Sequence, residues 1–244
     1  MTNKIALVFD IDDTLYRQID LLQSACEEAM GGKKLPDPEL FYQTFGKRSY
    51  EMFLESSSGR MELHQSRLCR ILKTMEDLQI PFTEEMAEDF QRRYKEKQEN
   101  LKLSQAMVEI LETCKSAGIP MGVISNGPDQ HQKDKCHIMG LEKWIPIEYV
   151  LVSEGVGCAK PEIKIFRMAE QRMGITDETV YMIGDSFAND MAGAMNAGWK
   201  TIWVNYHGYK LPEDAKSPDY QVETQEELRD VILGLQEEKR DIYS

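Results

Sequence analysis

The chain has 244 residues, of which 41% are hydrophobic and 29% are charged, as in an ordinary soluble globular protein with a substantial core. Its formal net charge of -13 repels phosphate backbones and anionic lipid, which argues against a nucleic-acid polymer or a membrane as a partner. No apolar run approaches the roughly 20 residues of a membrane span, and the start of the chain lacks the pattern of a signal peptide. We therefore expect a cytoplasmic protein.

Short apolar runs rich in β-type residues predict strands that are buried on both faces. They are residues 5–9, 121–125, 149–153, 180–184 and 201–205. Helical patterns separate the later runs, and such alternation is typical of a parallel sheet covered by helices. Between Tyr16 and about Gln98 the chain shows only helical periodicity. We predict an α/β fold: a parallel-sheet, Rossmann-like core of residues 1–16 and 98–244, with a helical domain of residues 17–97 inserted after the first strand.

Polar side chains follow these predicted strands at the point where each strand ends. They are Asp10, Asp12 and Asp13 after the first strand, Ser125 and Asn126 at the end of the second, Lys160 after the third, and Asp185 and Asp190 after the fourth. Ligands bind at the carboxyl ends of the strands in open parallel sheets. We therefore expect these groups to meet in one cleft.

The chemistry of such a cleft follows from its carboxylates. Several carboxylates in a partly desolvated cleft repel one another, so a cation is expected among them. Mg²⁺ prefers oxygen ligands and commonly uses one or two carboxylates, here Asp10 and Asp185. A carboxylate is also a nucleophile for phosphoryl transfer, while a neighbouring acid protonates the leaving oxygen. We expect Asp10 to attack the phosphorus atom and Asp12 to transfer the proton to the leaving oxygen. Lys160 and the groups around Ser125 are expected to neutralise the charge of the phosphate oxygens.

Four short motifs carry a family resemblance. The segments "DIDDT" at 10–14, "SNG" at 125–127, "KP" at 160–161 and "GDSFAND" at 184–190 resemble, in order, the motifs of the haloacid dehalogenase (HAD) superfamily of phosphohydrolases. The helical segment stands where that family carries its C1-type cap domain. The resemblance therefore covers nearly the whole chain.

This resemblance implies a role for each matching residue. Asp10 would be the nucleophile and a metal ligand, and Asp12 the general acid/base, whose backbone carbonyl would also bind Mg²⁺. Thr14 would orient the first loop at the phosphate. The remaining implied roles are phosphate binding by Ser125 and Asn126, charge neutralisation by Lys160, metal ligation by Asp185, and support of metal waters or of Lys160 by Asp190. Asp13 matches a variable position and receives no role.

The leading hypothesis is a Mg²⁺-dependent phosphatase that hydrolyses a small phosphorylated metabolite through an aspartyl-phosphate. A phosphomutase, a carbon-halogen hydrolase and a non-catalytic binding module stay open. Asp12 counts against halogen chemistry, which needs neither a metal nor an acid at that position, and none of the catalytic groups that a binding module would be free to lose is missing.

The motifs are most similar to the nucleotidase-like and phosphoglycolate phosphatase-like branches. A nucleoside 5'-monophosphate is the first substrate to test, then phosphoglycolate-like compounds and sugar phosphates. Monomer and homodimer are both compatible with the sequence.

Overall fold

The computed structural model describes residues 4–237, so the ends of the predicted core, 1–3 and 238–244, lie outside it. The chain forms two compact units, Met1–Tyr16 with Leu101–Ser244, and Arg17–Asn100. The second unit extends past the predicted end at residue 97 because its last helix continues beyond that point. The backbone N–H of Asn100 still donates to the carbonyl of Lys97, at 3.1 Å.

A parallel sheet forms the centre of the first unit. Its strands are β1 Ile5–Phe9, β2 Met121–Ser125, β3 Val150–Val152, β4 Thr179–Gly184, β5 Lys200–Val204 and β6 Tyr220–Val222. Within the described range the strand order is β3-β2-β1-β4-β5-β6, and every neighbouring pair is parallel. The order reverses at β1, whose Leu7 is paired with Met121 on one side and with Tyr181 on the other. Such a reversal leaves a crevice at the carboxyl ends of the strands.

The α-helices follow these strands along the chain, and the first four belong to the second unit. In residues 4–237 they are α1 Gln18–Ala29, α2 Pro38–Ser57, α3 Leu63–Asp77, α4 Glu84–Gln98, α5 Gln105–Ser116, α6 Asp129–Ile138, α7 Ser153–Val156, α8 Ile163–Met173, α9 Ala192–Asn196 and α10 Gln225–Glu237. The prediction of an α/β fold with a parallel sheet is confirmed. The short edge strand β6 was not predicted, because its three residues alternate in exposure and lack the continuous apolar run of the inner strands.

One hydrophobic core of the first unit lies between one face of the sheet and the helices α8 and α9. Phe166 of α8 and Trp199, just after α9, meet edge to face with ring centroids 5.2 Å apart. Trp203 of β5 is fully buried, and its indole N–H donates to the backbone carbonyl of Asp185 at 2.7 Å. Because a buried aromatic ring has little freedom to move, this bond fixes the loop that follows β4.

The helical unit Arg17–Asn100 has a core of its own, built from the facing sides of α1 to α4. Phe90 lies at its centre, packed edge to face against Phe45 and stacked on Tyr94, with centroids 5.8 Å and 5.9 Å away. Side-chain caps define where two of its helices begin: Asp37 accepts from the backbone N–H of Leu40, and Thr83 opens α4 in the same way. In the described part of the chain, no helix combines the length and the apolar character that crossing a bilayer requires.

Candidate active site

The loop after β1 carries the first group of acids. Asp10 directly follows the strand, is buried, and its backbone N–H donates to the carbonyl of Ile183 in β4 at 2.8 Å. The chain then turns at once through Asp13, which has a left-handed backbone (φ 51°). The Asp13 carboxylate is buried 3.7 Å from the ring of His207.

Lys160 lies at the centre of the cluster. Its buried ammonium group is 2.7 Å from Oδ1 of Asp10 and 2.6 Å from Oδ1 of Asp190, and it donates to the carbonyl of Ile124 at 2.8 Å. Burial alone would lower the pKa of this ammonium, but the two carboxylates outweigh burial and hold the pKa above its usual value. Lys160 is therefore a fixed positive charge at neutral pH.

Asn126 fixes the backbone of Lys160 rather than offering its side chain to a ligand. Its amide oxygen accepts from the backbone N–H of Lys160, and its amide nitrogen donates to the carbonyl of the same residue, both at 2.9 Å. This reciprocal pair joins the loop after β2 to the loop that carries Lys160. Any contact of Asn126 with a phosphate is accordingly expected through its backbone N–H.

Three carboxylates of the first unit converge on one point. Asp10, Asp185 and Asp190 each place one oxygen within 4.8 Å of the others. Gly184 makes the approach of Asp190 feasible, because a Cβ at that position would lie 2.3 Å from Oδ2 of Asp190. The same Oδ2 accepts from the backbone N–H of Ser186 at 3.0 Å.

The electrostatics of this cluster favour a divalent cation. Burial, with the negative charge of Asp190 added, raises the pKa of Asp10 to about 7 despite the attraction of Lys160. Burial and the neighbouring Asp10 carboxylate raise the pKa of Asp185 well above its ordinary value. Ionisation of all three carboxylates leaves two negative charges that Lys160 does not balance. A hard cation with oxygen ligands fits this donor set.

The Asp12 carboxylate has a separate set of partners. Lys135 of α6 is buried and reaches both of its oxygens, at 2.7 Å and 2.9 Å, while the hydroxyl of Tyr16 donates to Oδ1. Gln132 donates to Oδ2 at 3.0 Å. Burial alone would raise the pKa of Asp12, but these contacts, above all that with Lys135, bring the pKa below 3.8. Asp12 is ionised at neutral pH.

Two further predicted residues lie beside these aspartates. Ser125, the last residue of β2, is buried, and its hydroxyl accepts from the side chain of Gln132 at 2.7 Å. The hydroxyl of Thr14 is buried and has no hydrogen-bond partner among residues 4–237. A buried donor of this kind is available to bond a ligand or the first loop itself.

The structure brings every predicted site residue into the first unit, at the carboxyl edge of the sheet. Sequence reasoning missed three residues that contact Asp12: Tyr16, Gln132 and Lys135. The segment "DQHQKDK" is polar throughout, so its periodicity does not indicate a buried side. The remaining signal was the three-residue spacing of Gln132 and Lys135 directly after the "SNG" motif, which places both on one face of a helix.

Comparison with known proteins agrees with this geometry. A glyceraldehyde 3-phosphate phosphatase of Methanothermobacter thermautotrophicus is 30% identical over 203 residues, which are 82% of this chain and 85% of that protein. A pyrimidine 5'-nucleotidase of Escherichia coli is 34% identical over 113 residues, 46% of this chain and 49% of its own. The solved structure of an L-2-haloacid dehalogenase from Xanthobacter autotrophicus has a TM-score of 0.64 at 19% identity and covers 96% of this chain and 100% of that one.

The structural likeness supports the fold, whereas the sequence matches bear on the family. The family model described as haloacid dehalogenase-like hydrolase matches residues 7–204, which contain all four motifs and every candidate site residue. The resemblance predicted from the motifs is thereby confirmed. The chain belongs to the haloacid dehalogenase-like hydrolase family.

Proposed function

We propose that this protein is a Mg²⁺-dependent phosphatase that hydrolyses a small phosphorylated metabolite through an aspartyl-phosphate on Asp10. The observation that carries the proposal is the pair of aspartates two residues apart, each with a buried lysine of its own. Lys160 contacts Asp10 and Lys135 contacts Asp12, both at 2.7 Å. Two carboxylates held apart in this way are suited to two different tasks.

Asp10 and Asp12 divide the reaction between them. An Asp10 oxygen forms a bond to phosphorus as the bond from phosphorus to the leaving oxygen breaks, and that oxygen keeps the electron pair. Asp12, which is ionised in the resting site, takes up a proton from solvent and donates it to the leaving oxygen. Asp12 then accepts a proton from the water that attacks the aspartyl-phosphate, which frees Asp10 and releases phosphate. A carboxyl with a low pKa is a strong acid when protonated and stays ionised as the base of the second step.

The cation would be held by the carboxylates of Asp10 and Asp185 and by the backbone carbonyl of Asp12. Asp190 already bonds Lys160 and the backbone N–H of Ser186, so we assign it to the support of that lysine. When bound, Mg²⁺ supplies positive charge that balances the carboxylates and the phosphate oxygens. Lys160 and the hydroxyl of Ser125 would neutralise and orient the same oxygens.

The names of two relatives support the proposed substrate class. One relative is named for glyceraldehyde 3-phosphate and matches over 82% of this chain, and another is named for pyrimidine nucleotides and matches over 46%. We therefore place three-carbon phosphates and phosphoglycolate beside nucleoside 5'-monophosphates as first substrates. The helical unit Arg17–Asn100 is proposed as a cap domain that sets the choice among them.

A panel of substrates tests this function and separates it from its alternatives. The panel contains glyceraldehyde 3-phosphate, phosphoglycolate, nucleoside 5'-monophosphates and hexose phosphates, all followed by release of inorganic phosphate. 2-Chloropropionate, followed by release of chloride, tests a dehalogenase. Conversion between hexose 1-phosphate and hexose 6-phosphate tests a mutase. We expect phosphate release from at least one phosphomonoester, and chloride release alone would overturn the proposal.

Metal dependence is the first quantitative prediction. We expect hydrolysis of 4-nitrophenyl phosphate in Mg²⁺, loss of the activity in excess EDTA, and recovery when Mg²⁺ is restored. The physical reason is that the acidic cluster repels a phosphate dianion unless a cation balances it. A steady rate in EDTA would contradict the proposed site.

Metal binding should also change thermal stability in a pH-dependent way. The folded protein without metal holds a proton on Asp10 up to about pH 7, whereas the ordinary pKa is 3.8. Because the native state then binds more protons than the unfolded state, its stability falls as pH rises through that window. Mg²⁺ replaces the proton, so we expect the rise in Tm on adding Mg²⁺ to be larger at pH 8 than at pH 5. An equal rise at both values would contradict binding at Asp10.

A further inference from the structure

Three side chains hold the Asp12 carboxylate. Its two carboxylate oxygens receive four contacts: Lys135 reaches both, Tyr16 reaches Oδ1 and Gln132 reaches Oδ2. These contacts come from three different side chains, so they fix the plane as well as the position of the group. Lys160 contacts Asp10 and Asp190 instead.

Helix α6 is built to make these contacts. Gln132 and Lys135 are three residues apart on one face of the helix and are 3% and 4% exposed, in a segment that is otherwise mostly polar and accessible. A buried lysine loses the hydration of its charge, so its position requires a strong partner. Asp12 is the carboxylate that Lys135 contacts.

Gln132 connects the acid to the loop after β2. Its amide nitrogen lies 2.7 Å from the hydroxyl of Ser125 and 3.2 Å from the carbonyl of Asn126, in addition to its contact with Asp12. Gly127 of that loop has a backbone φ of 144°, which side chains other than that of glycine rarely adopt. The same helix therefore sets the distance between the proton-transferring group and the proposed phosphate-binding loop.

We propose that Lys135 and Gln132 are positioning residues that hold the Asp12 carboxyl group where it meets the leaving oxygen of the substrate. This inference rests on the proposed function. Without Lys135, Asp12 keeps two of its four contacts, those from Tyr16 and Gln132, and the orientation of its carboxyl group is less fixed. A misplaced acid slows the reaction most when the leaving oxygen needs its proton.

The test uses substrates whose leaving oxygens differ in how strongly they require a proton. For Lys135→Met we expect kcat/KM to fall about 10²-fold for an alkyl phosphate, whose leaving alcohol requires a proton. The fall should be much smaller for 4-nitrophenyl phosphate, whose leaving group departs as a stable anion. The measurement is the slope of log(kcat/KM) against the pKa of the leaving group at saturating Mg²⁺. Lys135→Arg, which keeps the charge, should recover part of the loss.

Control variants test whether the change in slope comes from the contact between Lys135 and Asp12. Lys133→Met removes a neighbouring lysine that pairs with Asp129 at 2.7 Å and is 37% exposed, and it should keep the wild-type slope. Asp12→Asn should steepen the slope as Lys135→Met does, and the double variant should be no steeper than Asp12→Asn alone. If Lys135→Met does not fold, as judged by circular dichroism, Gln132→Met carries the same comparison.

The outcomes separate this inference from the proposed function. An equal loss for all leaving groups in Lys135→Met, with a steeper slope in Asp12→Asn, would show that Lys135 is only structural and would overturn the inference alone. An unchanged slope in Asp12→Asn would overturn the acid role of Asp12, and the positioning role with it. Additive slopes in the double variant would also overturn the inference.

Discussion

Asp10→Asn should abolish turnover and leave the protein folded. The substitution keeps the shape of the side chain but replaces the nucleophilic carboxylate, so we expect the rate to fall roughly 10⁴-fold or more. Lys160 keeps its contacts with Asp190 at 2.6 Å and with the carbonyl of Ile124 at 2.8 Å. It is therefore not left unpaired in the core.

The stability of this variant gives a second measurement. Asp10→Asn removes one of three carboxylates that repel one another, so its Tm without metal should be no lower than that of the wild type. Asp20→Asn is a matched control, because it makes the same chemical change at a side chain on α1 that is 61% exposed. Near wild-type turnover of Asp10→Asn would exclude an aspartyl-phosphate at this position.

Lys160→Met should both inactivate and destabilise the protein. The substitution keeps an unbranched apolar side chain but leaves buried carboxylates without their positive partner, which costs about 3 to 5 kcal/mol of unfolding free energy. Part of the cost disappears at low pH, where Asp10 takes up a proton. We therefore expect a larger drop in Tm at pH 8 than at pH 5, and partial recovery with Mg²⁺.

A neighbouring lysine serves as the control for this prediction. Lys164 is an exposed residue in the first turn of α8. We expect Lys164→Met to change neither Tm nor the rate of phosphate release appreciably. Chemical denaturation of both variants at the two pH values measures the difference. A loss of stability in Lys160→Met that does not depend on pH would contradict the ionic role of Lys160.

Much of the fold followed from local patterns in the sequence. The inner strands are continuous apolar runs because both faces of a parallel sheet are covered, and these runs were found in every case. The edge strand β6 was missed because its exposed Gln221 breaks that pattern. Residues 99 and 100, beyond the boundary expected at residue 97, belong to the last turn of hydrogen bonds of α4.

The site was predictable to the extent that it depends on strand ends. Asp10, Ser125 and Asp185 lie where their strands end, and topology alone brings them together. The bonds of Lys135 and Gln132 to Asp12 depend instead on which side of a polar helix faces the sheet. Helical periodicity in a segment with almost no apolar residues does not indicate that side, so the contact is visible only in the structure.

The central position of β1 in the sheet affects how the chain folds during its synthesis. Its residues Ile5–Phe9 are all buried, and their partners in β2 and β4 start at Met121 and Thr179. During translation, this apolar segment leaves the ribosome long before β2 or β4 has been synthesised. Contacts so distant in sequence form slowly, and an unpaired apolar segment invites aggregation in the meantime. The newly made chain is therefore expected to depend on chaperones until the second of those neighbours has emerged.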